Sequence, residues 1–335
     1  MQDADLAMKV GINGFGRIGK LVYRILNERG IHVEVVNDPF VTPEYAEYLL
    51  KYDSVFGKRS EYKLKDGRMW YGERATTLTS FKRPDEIPWS MHGVDVVVEA
   101  SGVFTTVSEC EGHKDVAAVL ITAPSKDAPM FVYGVNHHDY DMQRIVSNAS
   151  CTTNCLAPLA KVLDDSFGIV EGLMTTVHAV TATQNIVDGL GKCRRSGRSG
   201  MSNIIPSSTG AAMSVGKVIP SLASKLNGMA MRVPVSNVSV VDLVCRTQRE
   251  ATIEQIADAV DKYSIANNGI MGTTRDCVVS SDFIEDSRSS VFDVGASMAM
   301  GTNFFKLICW YDNEYGYSCR VCDLLQYVYM RQAQK

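Results

Sequence analysis

The run Ser147-Asn148-Ala149-Ser150-Cys151-Thr152-Thr153-Asn154-Cys155 places a thiol where a helix is expected to begin. Ser150 is a favoured N-cap residue. After it, Leu156, Leu159, Leu163 and Phe167 recur at the spacing of one helix face. Cys151 then falls in the first turn, where unpaired N–H groups and the macrodipole favour an anion. The thiolate is the reactive form of cysteine, so the position predicts a nucleophile that alkylates faster than the other cysteines. A nucleophile needs a proton acceptor, and His178 closes an apolar run, residues 173–177, that reads as a strand. Each residue alone has a bland alternative, a packed cysteine or a structural histidine. Their combination favours covalent catalysis.

Two further features suit anions. Residues 207–212, including Thr209 and Gly210, are expected to open a helix with hydroxyl and backbone donors. Arg232, beside a predicted strand, has the fork that clamps an anion through two hydrogen bonds. The basic loop 192–198, with Arg195 inside it, reads either as a solvated loop or as part of an anion site.

The elements that must carry these groups begin with a dinucleotide signature. A short apolar strand over residues 8–13 runs into Gly14-Phe15-Gly16-Arg17-Ile18-Gly19, then into a helix with Leu21, Val22, Ile25 and Leu26 on one face. A second strand, 31–36, ends in Asn37-Asp38, and Asp38 lies about 20 residues past the last glycine, the spacing of a ribose-binding acid. Gly14 permits the tight turn, and Gly16 lets the backbone approach a pyrophosphate resting on the N–H groups of Arg17 and Ile18. Asp38 would bind ribose hydroxyls and repel an added phosphate, favouring NAD over NADP. Further strands are expected at 94–99, 117–122, 130–133 and 144–147, their polar ends (Ser101, Gly102, Thr122) lining the nicotinamide side of the crevice.

Later runs, 235–247 and 291–311, lack the strand–helix alternation and suggest a large antiparallel sheet. Between them Thr252-Ile253-Glu254-Gln255 reads as a capping box. The expected architecture is an N-terminal Rossmann-type, doubly wound parallel sheet over residues 1–150. A catalytic domain with a mainly antiparallel sheet follows over 151–316. A C-terminal helix, 317–335, is expected to pack back on the first domain.

Composition narrows the classes. A chain of 335 residues exceeds one compact core. Its net charge of −4 offers no broad basic field for a nucleic acid or an anionic membrane. No run reaches the length of a membrane span. The acidic start, residues 1–8, lacks the regions of a signal peptide, so a cytoplasmic location is expected. The nine cysteines are an odd number, and the reducing compartment expected for the chain also argues against a disulfide framework. Cys319 and Cys322 have metal-knuckle spacing without a second pair, so both are read as packing residues and no metal is expected.

Together these strings resemble the phosphorylating glyceraldehyde-3-phosphate dehydrogenases over nearly the whole chain after Ala7. The match is carried by residues 10–19, 37–40, 147–155, 178–184, 208–212, 232–234 and 310–318. The resemblance implies that Cys151 is the nucleophile and His178 the general base. Thr181, Thr183 and Arg232 would hold the substrate's C3 phosphate. Ser150, Thr152, Thr209 and Gly210 would hold inorganic phosphate, with Arg195 nearby. Asn313 and Tyr317 would meet the nicotinamide, and Arg83 is placed among the NAD-binding residues. It also implies D-glyceraldehyde 3-phosphate and phosphate as substrates and a homotetramer. The loop departs from the family pattern at Arg194 and Ser196 and is one residue short near residues 189–191. Erythrose-4-phosphate dehydrogenase and a catalytically silent NAD-binding protein are the alternatives. Thr181-Ala182-Thr183-Gln184 disfavours the first, and the intact Cys151 and His178 disfavour the second.

Overall fold

A computed structural model describes residues 8–334; the acidic segment 1–7 and Lys335, the end of the expected last helix, lie outside the described residues. The chain forms two compact units. One comprises residues 8–131, 137–149 and 318–334, the other 132–136 and 150–317.

In the first unit, β1 (Lys9–Asn13) leads through the glycine turn into α1 (Arg17–Glu28) and β2 (His32–Asn37). There follow α2 (Pro43–Lys51) and a small ribbon of β3 (Tyr52–Asp53) and β4 (Gly57–Lys58). Next come β5 (Tyr62–Lys65), β6 (Arg68–Tyr71), β7 (Arg74–Thr79) and β8 (Val96–Glu99). The short α3 (Val107–Cys110), β9 (Ala118–Ile121) and β10 (Ile145–Ser147) complete the run. Eight strands make one sheet in the order β10-β9-β8-β1-β2-β7-β6-β5, parallel from β10 to β7 and antiparallel at the β5–β7 edge. The central strands β8 and β9 are buried throughout, as apolar strands covered on both faces must be.

The sequence reading overlooked the β5–β6 hairpin. Its turn, Asp66-Gly67, has positive φ at both residues (53° and 70°), as a type I′ turn requires. The strand expected at 130–133 is instead a single bridge from Met130 to Ser147. The ladder stops there because Asn136 Oδ1 takes the amide of Val132 at 2.8 Å.

The second unit opens with α4 (Cys151–Phe167), followed by β11 (Ile169–His178), β12 (Ile205–Ser208), α5 (Ala211–Val218) and β13 (Leu226–Arg232). Then come β14 (Ser239–Thr247), α6 (Ile253–Ala266), β15 (Met271–Thr274), β16 (Ser290–Ala299) and β17 (Phe304–Tyr311). Its seven strands run β12-β13-β11-β14-β17-β16-β15, antiparallel except for the β11–β13 and β15–β16 pairs. The Thr252–Gln255 capping box is present on α6. Ser207 and Ser208 belong to β12, and α5 begins only after Gly210, later than expected.

The last helix, α7, spans Tyr315–Ala333. From Ser318 onward it belongs to the first unit, where Val321, Leu324, Leu325 and Val328 are fully buried. Arg29 Nη1 donates to Asp323 at 2.6 Å, and Gln332 Nε2 donates to the Tyr140 hydroxyl at 2.6 Å. Cys319 and Cys322 are buried within this packing, and burial pushes the Cys322 thiol well up.

The glycine turn is sterically closed. Gly14 has φ of 96°, and a Cβ on Gly19 would lie 1.9 Å from the Gly14 carbonyl oxygen. Gly19→Ala pits a helix-propensity gain of about 1 kcal/mol against a clash with rigid backbone that typically costs about 1–3 kcal/mol and here is extreme. The clash is expected to win, lowering stability by about 2 kcal/mol or more in urea denaturation. An unchanged midpoint would contradict this packing.

Candidate active site

Three elements of the second unit converge on one group of side chains. Ser150 caps α4, its Oγ accepting from Thr153 N at 3.0 Å, so Cys151 occupies the first helical position. Ala149, just before, has φ of 55°, a conformation costly for a residue with a Cβ. His178 ends β11, and the parallel register of β11 and β13 sets it opposite Arg232. The Cys151 Sγ lies 3.5 Å from His178 Nε2.

The other ring nitrogen has two neighbours that ask for opposite protonation. Nδ1 lies 2.7 Å from the Ala179 carbonyl oxygen and 2.6 Å from Arg232 Nη1. A guanidinium keeps its protons. While Arg232 donates to Nδ1, the single proton of a neutral imidazole sits on Nε2, facing sulfur. Were Arg232 to engage an anion instead, Nδ1–H would donate to Ala179 O and the Nε2 lone pair would face the thiol. A histidine in this setting becomes an acceptor as the arginine is engaged elsewhere.

Burial pushes His178 down to about 4, and the Arg232 charge adds to that shift, so the ring is neutral at pH 7. The thiol behaves differently from the expectation drawn from its helix position. Burial raises Cys151, while Arg232, Thr152 and the helix-start amides only partly offset it. Desolvation outweighs the Arg232 charge and the helix-start hydrogen bonds, so the thiol is raised beside a neutral imidazole. The thiol held below its ordinary value is Cys193 on the exposed loop, through hydrogen bonds with Ser196.

Tyr311 was missed by sequence reasoning. Its buried hydroxyl lies 2.8 Å from Thr152 Oγ1 and 2.9 Å from Thr176 Oγ1, tying the residue after Cys151 to the strand that carries His178. Its ring also meets that of His178 edge-on, with centroids 6.1 Å apart. Nothing in the sequence near Cys151 signals a partner on β17.

The anion-site residues divide. Thr181 and Thr183 hydroxyls stand 3.0 Å apart, and both bond with the Gln184 side-chain amide. The Arg232 Nε is buried without a hydrogen-bond partner, a donor poised for an acceptor. Thr209 Oγ1 accepts from Ala211 N at 3.2 Å, while Gly210 heads α5 with open space where a Cβ would be. The Ser150 and Thr152 hydroxyls are already engaged, by the α4 cap and by Tyr311. Arg195 is exposed on its loop, and among the described residues no hydrogen bond ties its guanidinium to the Cys151–His178 pair.

Asn313 is buried in this unit, its Oδ1 accepting from Ser239 Oγ at 2.8 Å; Tyr317 is also buried. The turn that carries Asn313 and leads into α7 is organised by Asp312, which accepts from Asn237 Nδ2 and from the amides of Glu285, Glu314 and Tyr315.

In the first unit the residues expected to bind a dinucleotide surround one turn. Gly16 caps α1 without a side chain, nothing stands within 4 Å of where its Cβ would be, and the helix start has no side-chain cap. That geometry suits a pyrophosphate on the amides of Arg17 and Ile18. Asp38 accepts from Phe15 N at 2.8 Å and from Phe40 N at 2.9 Å, so it also pins the turn it is expected to serve. Asp53 went unread. Burial alone would raise its carboxyl, but Lys20 and the amides of Val55 and Phe56 hold it well below the carboxylate range. Arg17 pairs with the same carboxylate at 2.7 Å. Ser101 bonds to Glu99, and Thr122 Oγ1 donates to the Glu99 carbonyl at 3.2 Å. Arg83 is drawn onto its own loop by Asp85 at 2.6 Å and stays largely exposed.

The depressed His178 pKa carries a stability consequence. Between about 6.5 and 4 the unfolded chain binds a proton that the folded chain refuses, so stability falls as pH drops through that window. The full loss is on the order of 3 kcal/mol. His178→Gln, which cannot titrate, should flatten that portion of the urea-measured profile. His32 and His137 shift in the same direction and remain in both proteins. Identical slopes for the two proteins would show that His178 is not held neutral.

Comparison with known proteins bears on the identity of this arrangement. Residues 8–107 match the family described as "Glyceraldehyde 3-phosphate dehydrogenase, NAD binding domain", and residues 150–313 match "Glyceraldehyde 3-phosphate dehydrogenase, C-terminal domain". The cytosolic glyceraldehyde-3-phosphate dehydrogenase of Sinapis alba is 55% identical over 331 residues, covering 96% of this chain and 98% of that protein. The enzyme of Atriplex nummularia is 56% identical over 330 residues, covering 96% and 92%. The cytosolic enzyme of Pinus sylvestris is 55% identical over 327 residues, covering 95% and 96%. With both halves of the fold matched and more than half of the residues shared, the chain belongs to the glyceraldehyde-3-phosphate dehydrogenase family and is an NAD-dependent oxidoreductase.

Proposed function

We propose that this chain converts D-glyceraldehyde 3-phosphate, NAD and inorganic phosphate into 1,3-bisphosphoglycerate, working in the cytoplasm as a homotetramer. The observation that carries the reading is the Cys151 Sγ at 3.5 Å from His178 Nε2, with Arg232 on the far side of the ring. The names of the cytosolic relatives support the substrate and the location.

The substrate's C3 phosphate is held by Arg232, Thr181 and Thr183. Engagement of Arg232 leaves His178 Nδ1–H on the Ala179 carbonyl and frees Nε2. The Cys151 proton passes to Nε2 and the sulfur adds to the aldehyde carbon; the imidazolium then protonates the new alkoxide, giving a thiohemiacetal. The Gly14–Gly19 turn, Asp38, Ser101 and Thr122 would hold NAD, Asn313 and Tyr317 would meet its nicotinamide, and the cofactor would supply a hydride acceptor when bound. His178 takes back the hydroxyl proton as the thiohemiacetal carbon is oxidised, and Cys151 then carries a thioester. Inorganic phosphate, held at Thr209 and Gly210, attacks the thioester carbonyl; the carbon–sulfur bond breaks and the acyl phosphate leaves. A thioester keeps the acyl group activated for that transfer, which hydrolysis would forfeit.

Arg83 pairs with Asp85 on its own loop and Arg195 is exposed, so neither enters the steps above.

Purified protein should form NADH from the triose phosphate only when inorganic phosphate is present, and far more slowly from erythrose 4-phosphate. Turnover indifferent to phosphate would overturn the assignment. Cys151→Ser should keep NAD affinity while losing activity by on the order of a thousandfold or more.

A further inference from the structure

Glu99 ends β8 with its side chain fully buried, and among the described residues no lysine or arginine pairs with it. An ionised carboxylate survives such burial only when donors replace its water. Asn13 Nδ2 donates to Oε2 at 2.6 Å and His113 Nε2 reaches the same oxygen at 2.9 Å. The amide and hydroxyl of Ser101 both donate to Oε1. Trp89 Nε1 donates to His113 Nδ1 at 3.1 Å, which places the single proton of a neutral His113 on Nε2, aimed at Glu99. Every donor therefore converges on one anion.

That anion sets the direction of a longer line. Asn13 must present its NH2 to Glu99, so its Oδ1 accepts from Asn37 Nδ2 at 2.8 Å. Asn37 Oδ1 then accepts from Phe81 N at 2.8 Å and Thr79 Oγ1 at 2.9 Å. The line crosses the carboxyl ends of four neighbouring strands, β8, β1, β2 and β7. It runs directly behind the glycine turn. Gly14 N donates to Asn37 O at 2.7 Å, and a Cβ on Gly14 would lie 2.5 Å from Ser101 N. The gap between the turn and the Ser101 wall is thus fixed by side chains that need not touch a ligand.

We infer that Glu99 and His113 are positioning residues for the dinucleotide, spacing the Gly14–Gly19 turn from the Ser101 wall through the buried Asn13–Asn37 line. The inference rests on reading that turn as the NAD site. Glu99→Gln keeps the shape but sets its NH2 against existing donors, and slack in the line should appear as weaker cofactor binding. His113→Leu removes the donor, whereas His113→Gln can place an amide N–H where Nε2 stood.

The test uses the full chain, with NAD titrated by calorimetry beside steady-state kinetics. Glu99→Gln and His113→Leu should raise Kd and KM for NAD about tenfold to a hundredfold, the range for one buried polar group left unsatisfied. The kcat at saturating NAD and the KM for the triose phosphate should stay near the parent values. His113→Gln should recover most of the lost affinity, a rescue that a purely structural defect would not follow. If Glu99→Gln fails to fold, the His113 pair and Asn37→Ala read the same line. Folded variants with parental NAD affinity, or His113→Gln as defective as His113→Leu, would overturn the inference. Parental protein that binds no NAD, or Asp38→Ala that binds it as well as the parent does, would instead overturn the reading of the turn itself.

Discussion

A neutral imidazole held between a thiol and a guanidinium is the interaction on which the rest of the second unit turns. It exists because β11 and β13 run parallel in a register that sets His178 beside Arg232. The α4 start then brings Cys151 to the opposite face of the ring. Tyr311 spans the two elements through Thr152 and Thr176, so the separation of sulfur and nitrogen is fixed by the sheet and not by side-chain chance. Burial decides the charge state. It holds the ring neutral, with a single proton, at neutral pH and raises the thiol above its ordinary value.

The first unit solves a related problem without catalysis. The carboxyl ends of parallel strands are polar and gather where a ligand is to lie, so their side chains must be satisfied while leaving a crevice open. Asp53 is stabilised by cations, Lys20 and Arg17, whereas Glu99 is stabilised by neutral donors. The difference matters. Cations can be screened or exchanged, while a network of neutral donors around one anion has a single orientation for each amide. Such a network suits a part whose spacing must not drift.

Legibility in the sequence followed the range of the interaction. The glycine turn, the Ser150 cap and the Thr252 capping box depend on neighbours a few residues apart, and all were readable. The longer apolar strands were readable for the same reason, whereas residues 130–133 lose the ladder to Asn136 and the short strands β7, β12 and β15 carry too little apolar pattern to be read. The Asp66-Gly67 hairpin carried its own local signal and was overlooked. Tyr311, Asp53 and the His113–Glu99 pair act across long stretches of chain, and residue type alone does not announce them. The rise of the thiol is not local either: desolvation depends on everything packed around Cys151, whereas the helix-start argument uses neighbours in sequence.

A thiolate stabilised in advance by the helix would be reactive toward any electrophile and at all times. Here burial opposes the dipole, and the dominant nearby charge is Arg232, the group proposed to receive the substrate's phosphate. Once an anion occupies Arg232, the guanidinium no longer needs Nδ1, and the ring gains the tautomer that accepts a proton from sulfur. The same anion offsets the positive charge that lowers His178, which makes the ring more basic when a base is required. An arginine proposed to anchor the distant end of the substrate would thus couple recognition to activation, and a neutral imidazole is what leaves room for that coupling.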